Sequence, residues 1–470
     1  MRPTISLEEY FSPFRRNIIG NEQAFESPYG RKRILYADWT ASGRAYRPIE
    51  IKLIEEILPF YGNTHTSTTI TGERMSGAYE EAKSTIKTHV NANDNDVLIF
   101  CGSGMTAAVN KLQRLIGLRF PEGTAHNIKC PHLNEADRPL VLVTTMEHHS
   151  NHISWLETIA TVEIIRQAPD GNVDLDHLKQ LLNRFKHRKT KIAAITACSN
   201  VTGIQTPVHT IAAIMHEHEG LCFVDYACSA PYVEINMHPA APTASLDAIY
   251  FSCHKFLGGP GTPGVLIFNS RLYKSRVPDQ PGGGTLLYSN PWKIHEYLTD
   301  IEAREDGGTP PILQGIKAAM CIRLKEEMGV IKMLQREGEI LRQLYARFDQ
   351  IEGVKILGAT RQRLGVIAFT VRDTHYDQVV KQLNDRFGIQ TRGGCSCAGT
   401  YGHSLLGIDK AASYEILHAL RAGQVWRKPG WVRLSIHPTM TDAEIDYIMD
   451  AIETTVEALT PSSHSQVLRM

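Results

Sequence analysis

The chain has 470 residues, 42% of them hydrophobic, enough to bury a large core shared between two domains. Lysine plus arginine number 50 and aspartate plus glutamate 50, so the overall charge argues against nucleic acid or an anionic membrane as a bulk partner. The nine cysteines are odd in number and scattered, several of them in apolar runs, which is the usage of a reducing compartment and not a disulfide framework.

Taken in order, the amino terminus MRPTISLEEYFSPFRRN has no apolar signal core, and no run reaches the ~18 apolar residues of a membrane span. A soluble cytoplasmic protein is expected. Residues 1–30 read as an N-terminal arm, and RILYAD begins the first compact segment. Apolar residues at helical spacing predict helices over 49–60 and 79–90. Strand and helix signals then alternate. DVLIF (96–100) runs into a turn and the helical TAAVNKLQRLIGL, and apolar runs follow that end at Met146, Ser199, Cys228, Cys253 and Phe268. Helical segments at 176–185 and 208–218 fall between them. These runs are continuous, not alternating, which suits strands covered on both faces of a largely parallel sheet.

The style changes at 315–345, which reads as one long connecting helix. Beyond it, RLGVIAFTV and WVRLSIH read as strands, and Tyr376–Phe387 and Asp442–Leu459 as amphipathic helices. The predicted organisation is a large domain over 31–312, a connecting helix over 313–345, a smaller α+β domain over 346–460 and a flexible tail over 461–470.

In open α/β sheets ligands bind beyond the carboxyl ends of the strands. Those ends carry CGSGMT after DVLIF, EHHSNH after PLVLVTTM, Asn200 after ITACS, Asp225 within FVDYAC, and His254 and Lys255 after DAIYFSC. Each has an ordinary reading. The glycine turn could be a plain loop, the histidines surface residues, Asp225 the partner of an arginine, and Lys255 a solvated strand end. Together they offer an anion cradle at a helix start, a planar ring, a buried acid and an amine at one sheet edge. Pyridoxal 5′-phosphate requires such a set.

These residues carry a resemblance that runs from about Tyr36 to Ile448. The chain resembles the class V aminotransferase family of fold-type I pyridoxal-phosphate enzymes, and most of all its cysteine desulfurase/selenocysteine lyase branch. The matching segments, in family order, are YADWTAS (36–42), NTHTSTT (63–69), GMTAAVN (104–110), EHHSN (147–151), SNVTG (199–203) and FSCHK (251–255). A GGG loop at 282–284 and GGTP at 307–310 follow. The resemblance implies a mainly parallel seven-stranded sheet between helices, with a smaller C-terminal α+β domain. It also implies roles. Lys255 would carry the cofactor as a Schiff base and move the proton, Asp225 would pair with the pyridine nitrogen, and His148 would stack on the ring. Gly104, Met105, Thr106, Ser252 and His254 would hold the phosphate, and Asn200 would lie near ring and substrate. Thr309 would reach the phosphate of a neighbouring subunit, which implies a homodimer with shared active sites.

A second stretch, TRGGCSCAGTYGH (391–403), bears on the reaction. Read alone, its CSC could be two turn cysteines, and it is a poor zinc site without a second ligand pair. Against the family it resembles both short-loop desulfurases and, through its C-x-C, molybdenum-cofactor sulfurases. That places Cys397 at the persulfide-forming nucleophile and leaves the role of Cys395 open. Arg392 and Arg433 are candidate clamps for a substrate carboxylate, Arg433 the favoured one. The expected activity is release of sulfur or selenium from cysteine or selenocysteine to give alanine, with sulfur passing to an acceptor protein. The alternatives are C–S β-elimination or transamination of another amino acid, and a catalytically silent scaffold or sulfur-carrier partner. This chain departs from the pattern at Cys228, where the branch carries glutamine, at Tyr226 beside it, at Thr40 and at Met105. No metal is expected at HHSNH, because His148 is already used and His152 lacks a defined partner.

Overall fold

The computed structural model describes residues 5–64, 66, 68–127 and 134–460. The expected loose tail 461–470, residues 1–4 of the arm, and His65 and Ser67 of the NTHTSTT match lie outside the described residues.

Seven strands form the central sheet: β1 (Asp96–Cys101), β2 (Leu140–Thr144), β3 (Thr161–Ile165), β4 (Lys191–Thr196), β5 (Leu221–Asp225), β6 (Ala248–Ser252) and β7 (Gly264–Asn269). Their order is β1-β7-β6-β5-β4-β2-β3. Every neighbouring pair is parallel except those made by β7, which runs against both β1 and β6. The sheet is therefore mainly parallel, as the continuous apolar runs predict. Strands β1, β2 and β4 are buried throughout, so both faces are covered by helices. The apolar-run criterion misses β3 because Glu163 interrupts it, and this edge strand is mostly half-buried.

Two helical expectations change. The single helix predicted over 315–345 is two, Ile312–Met328 and Val330–Phe348, broken at Gly329, whose φ of 76° no other residue type adopts cheaply. The helix predicted to begin at residue 79 begins a few turns earlier, as Ile70–His89, because Thr69 caps it by accepting from the Gly72 N–H. Its first two turns, ITGERMSG, offer only Ile70 and Met75 as apolar residues, too few to mark a stripe.

The smaller sheet holds β8 (Val354–Ile356), β9 (Val366–Val371), β10 (Arg392–Gly394) and β11 (Trp431–Ser435) in the order β8-β9-β11-β10, all antiparallel. An early segment of the chain joins this region. Leu35–Tyr36 pairs in parallel with Ile389–Gln390, and the Ser435 N–H donates to the Ala37 carbonyl at 2.8 Å. The YADWTAS segment is thus held against β11 while its continuation leads back to the large sheet, where the Gly43 N–H bonds the His254 carbonyl at 2.9 Å. Among the described residues no helix is long and apolar enough to cross a membrane.

Candidate active site

Parallel strands deliver their carboxyl ends to one edge. There β1 turns into the helix Gly104–Leu115, β2 leads to Glu147 and His148, and β4 leads to Asn200. At the same edge β5 ends on Asp225, and β6 leads into the short turn Cys253–Lys255. Strand β7 starts here because it runs the other way, with Gly264 paired to both Cys101 and Ser252. A Cβ on Gly264 would lie 2.1 Å from the Gly104 carbonyl oxygen, so only glycine lets the turn at the helix start sit this close to the sheet.

One cavity of about 220 Å³ is lined by most of the residues that the sequence nominates: Met105, Thr106, His148, Asn200, Asp225, Ser252, His254, Lys255, Arg392, Cys397 and Arg433. Gly104 adjoins it, and a Cβ there would lie 2.7 Å from the Ser252 hydroxyl oxygen. Thr309 is exposed and does not line this cavity.

The charged groups are tuned by burial. Asp225 is 3% exposed and its Oδ1 accepts one hydrogen bond, from the Ala227 N–H at 2.8 Å. Burial raises its pKa to about 6, against the opposing pull of that bond and of the Lys255 charge. Among the described residues no arginine forms an ion pair with it, so the bland reading of Asp225 as half of an arginine pair finds no partner. Burial also lowers the Lys255 amine, partly offset by Cys228 and Asp225. His148 is held near 4 by burial and then by Lys255, so it is neutral at pH 7. Its Nδ1 accepts from the Ser150 N–H at 3.1 Å, which leaves the proton on Nε2.

The start of helix Gly104–Leu115 has no side-chain cap from Ser103. Around it the Met105 N–H donates to Ser252 Oγ at 2.7 Å, and Thr106 Oγ1 and Ser150 Oγ share a hydrogen bond of 2.7 Å. An uncapped helix start ringed by hydroxyls is suited to a phosphate. Asn200 Oδ1 is buried and has no partner among the described residues. An uncapped helix start, a buried acid with an open face, an amine and a neutral imidazole on one cavity fit pyridoxal 5′-phosphate.

The cavity's other wall comes from the small sheet. Arg433 Nη1 donates to the Asn200 carbonyl at 3.0 Å and Nη2 to Asp38 Oδ1 at 2.6 Å, while Arg392 Nη1 lies 3.5 Å from Asp38 Oδ2. Sequence reasoning missed Asp38. It lies inside YADWTAS, and nothing in that segment points to the two arginines it meets. It also missed Ser150, the hydroxyl partner of Thr106. Cys397 is exposed at the mouth of the cavity, whereas Cys395 is half-buried against the core and does not line it. Cys228 does line it, together with Cys198, and both thiols donate to the Ser199 carbonyl, at 3.7 and 3.6 Å. Among the described residues no cluster of metal-ligating side chains occurs.

The aminotransferase class-V family model matches residues 35–448. A Staphylococcus aureus (strain COL) protein named "Probable cysteine desulfurase" is 31% identical over 374 residues, covering 78% of this chain and 84% of that protein. One of the same name from Staphylococcus epidermidis (strain ATCC 12228 / FDA PCI 1200) is 31% identical over 388 residues, covering 81% and 87%. Among solved structures, a cysteine desulfurase from Thermococcus onnurineus NA1 superposes with a TM-score of 0.75 at 24% identity, covering 95% of this chain and 98% of that one. The Escherichia coli cysteine desulfurase CsdA gives 0.73 at 20% identity, covering 96% and 99%. At these identities the two structures speak for the fold.

Proposed function

Because this chain belongs to the aminotransferase class-V family, whose members use pyridoxal 5′-phosphate, we propose that it is a cysteine desulfurase that moves sulfur from free cysteine onto Cys397 and releases alanine. The observation that carries this reading is that Lys255, Asp225 and Cys397 line a single cavity.

In this reading Lys255 would take the cofactor's aldehyde, Asp225 its pyridine nitrogen, and residues 104–106 with Ser252 and His254 its phosphate. When bound, the cofactor supplies an electron sink beside the substrate's α-carbon. The chain's own groups do the rest. Lys255, its amine made less basic by burial, removes the α-proton and later returns one to carbon. Neutral His148 offers an aromatic face and an Nε2 proton without adding charge. Arg392 and Arg433 carry two positive charges against the one of Asp38, and the excess suits an α-carboxylate, with Asn200 beside it. The Cys397 sulfur attacks the substrate's sulfur. The carbon–sulfur bond breaks as the sulfur–sulfur bond forms, its electron pair stays with the β-carbon, which takes up the proton given up by the Cys397 thiol and becomes the methyl of alanine, and Cys397 is left as a persulfide.

A protein acceptor would then collect the sulfur, in the cytoplasm. Thr309 stands exposed and away from its own chain's cavity, a position consistent with serving the phosphate of a second copy in a homodimer. Cysteine turnover tests the reading. Cys397→Ser should stop alanine formation while leaving the cofactor's visible absorbance in place. Undiminished alanine formation by that variant would refute the persulfide route, and pyruvate in place of alanine would assign β-elimination.

A further inference from the structure

The segment EHHSNH holds three histidines, and only His148 has a part in the proposed chemistry. The others touch the loop that carries Cys397. That loop is strained: two successive non-glycine residues, Ser396 and Cys397, sit at φ of 50° and 57°. Each such residue costs on the order of 1 kcal/mol, so neighbours must hold the conformation in place. The Asn200 Nδ2 group donates to the Ser396 carbonyl at 2.7 Å. The His149 N–H donates to the Cys397 carbonyl at 2.7 Å, and the Gly399 N–H donates to His149 Nε2 at 2.9 Å. His152 Nδ1 and Thr400 Oγ1 add a contact of 3.1 Å.

His149 therefore grips the loop on both sides of Ala398, once by its backbone and once by its ring. An Nε2 that accepts carries no proton, so the ring is neutral, and burial followed by the Lys428 charge holds it so. A Cβ on Gly399 would come within 3.0 Å of that nitrogen, so glycine is what lets the amide reach the ring. His149 also opens the helix His149–Leu156, whose cap is His148. The residue that faces the cavity and the residue that fixes the thiol's loop are consecutive in the chain.

We propose that His149 is a positioning residue for sulfur transfer: its N–H and its ring together lock the Cys397 loop so that the thiol stands at the mouth of the cavity. This rests on Cys397 being the sulfur-accepting residue. Displacing a reacting atom by about 1 Å costs on the order of 100-fold in rate, so a loop released at Gly399 should lose turnover without losing substrate or cofactor.

Two variants separate positioning from bulk packing. His149→Phe keeps a ring of similar shape but accepts no hydrogen bond, whereas His149→Gln can accept one from Gly399. Four quantities are measured on the cofactor-loaded protein: kcat and KM for cysteine by alanine formation, the cofactor's visible absorbance, and hydrogen–deuterium exchange of the Gly399 amide. For His149→Phe we expect kcat down about tenfold to 100-fold. KM for cysteine and the absorbance stay unchanged, and Gly399 exchange accelerates. His149→Gln should restore both turnover and protection to within about threefold. Unchanged kcat or unchanged Gly399 protection in His149→Phe would overturn the proposal, and so would equal losses in the two variants. A wild-type protein that makes no alanine from cysteine would instead overturn the desulfurase reading, and Gly399 exchange would still decide whether the ring holds the loop.

Discussion

Glu337, on helix Val330–Phe348, is 3% exposed, one of its oxygens has no partner among the described residues, and the other accepts from the Gly365 N–H at 3.3 Å. Burial raises its pKa from 4.5 to about 8, with that weak bond opposing and Cys228 adding to the rise. The folded protein therefore holds a proton that the unfolded chain releases above its ordinary carboxyl value. The stability tied to this proton is fully present below about pH 4.5 and is lost as pH rises to about 8. Each unit is worth about 1.4 kcal/mol, so the ceiling is about 5 kcal/mol, lowered by whatever water or repacking reaches the charge. Glu337→Gln keeps the shape and cannot ionise. Unfolding entropy of about 2.1 cal/mol/K per residue makes 1 kcal/mol worth about 1 °C in a chain of this length. The variant should match wild type at pH 5 to within about 1 °C and melt about 3–5 °C higher at pH 9. Thermal melts of both cofactor-loaded proteins across this range measure it, and the wild-type–variant difference cancels every other titrating group. A difference that stays flat with pH would refute the burial argument.

Gly264→Ala should push the Gly104 turn off the sheet edge, since its Cβ would lie 2.1 Å from the Gly104 carbonyl oxygen. Titration with pyridoxal 5′-phosphate, followed by absorbance, should then show affinity down by about tenfold or more, alongside about 1–3 kcal/mol of lost stability. Arg433→Lys removes the fork that spans Asp38 and the Asn200 carbonyl, so KM for cysteine should rise about tenfold to 100-fold while the cofactor absorbance stays unchanged.

What could be read from the sequence followed from periodicity and from strand ends. Continuous apolar runs mark β1, β2 and β4 to β7 because these strands lie between helices, and a parallel sheet places their last residues together without further information. The direction of β7 was not legible: GVLIF reads the same whichever way it runs, and only its pairing with β1 and β6 fixes it. The break at Gly329 hid inside a helical pattern that continues on both sides. Asp38 and His149 escaped for another reason. Their roles depend on partners 395 and 250 residues away, Arg433 and Gly399, and no local pattern encodes such a meeting.

The distribution of residues between the two sheets bears on how this chain could select its reaction. Lys255, Asp225 and the candidate phosphate turn belong to the large sheet's edge, whereas Arg392 and Arg433 sit on β10 and β11, and Cys397 lies just beyond β10. On the proposed roles, the groups that would hold the cofactor and those that would hold the substrate are carried by different scaffolds, so substitutions on the small sheet should alter substrate or outcome while the large-sheet set stays intact. Several of the ties between the two lie at the cavity itself. Asp38 reaches both arginines from a segment paired to β11, Asn200 holds the Arg433 guanidinium and the Ser396 carbonyl, and His149 holds residues 397 and 399. Each tie fixes a distance between the two sets, so loosening any one of them would let the thiol and the two arginines shift relative to Lys255.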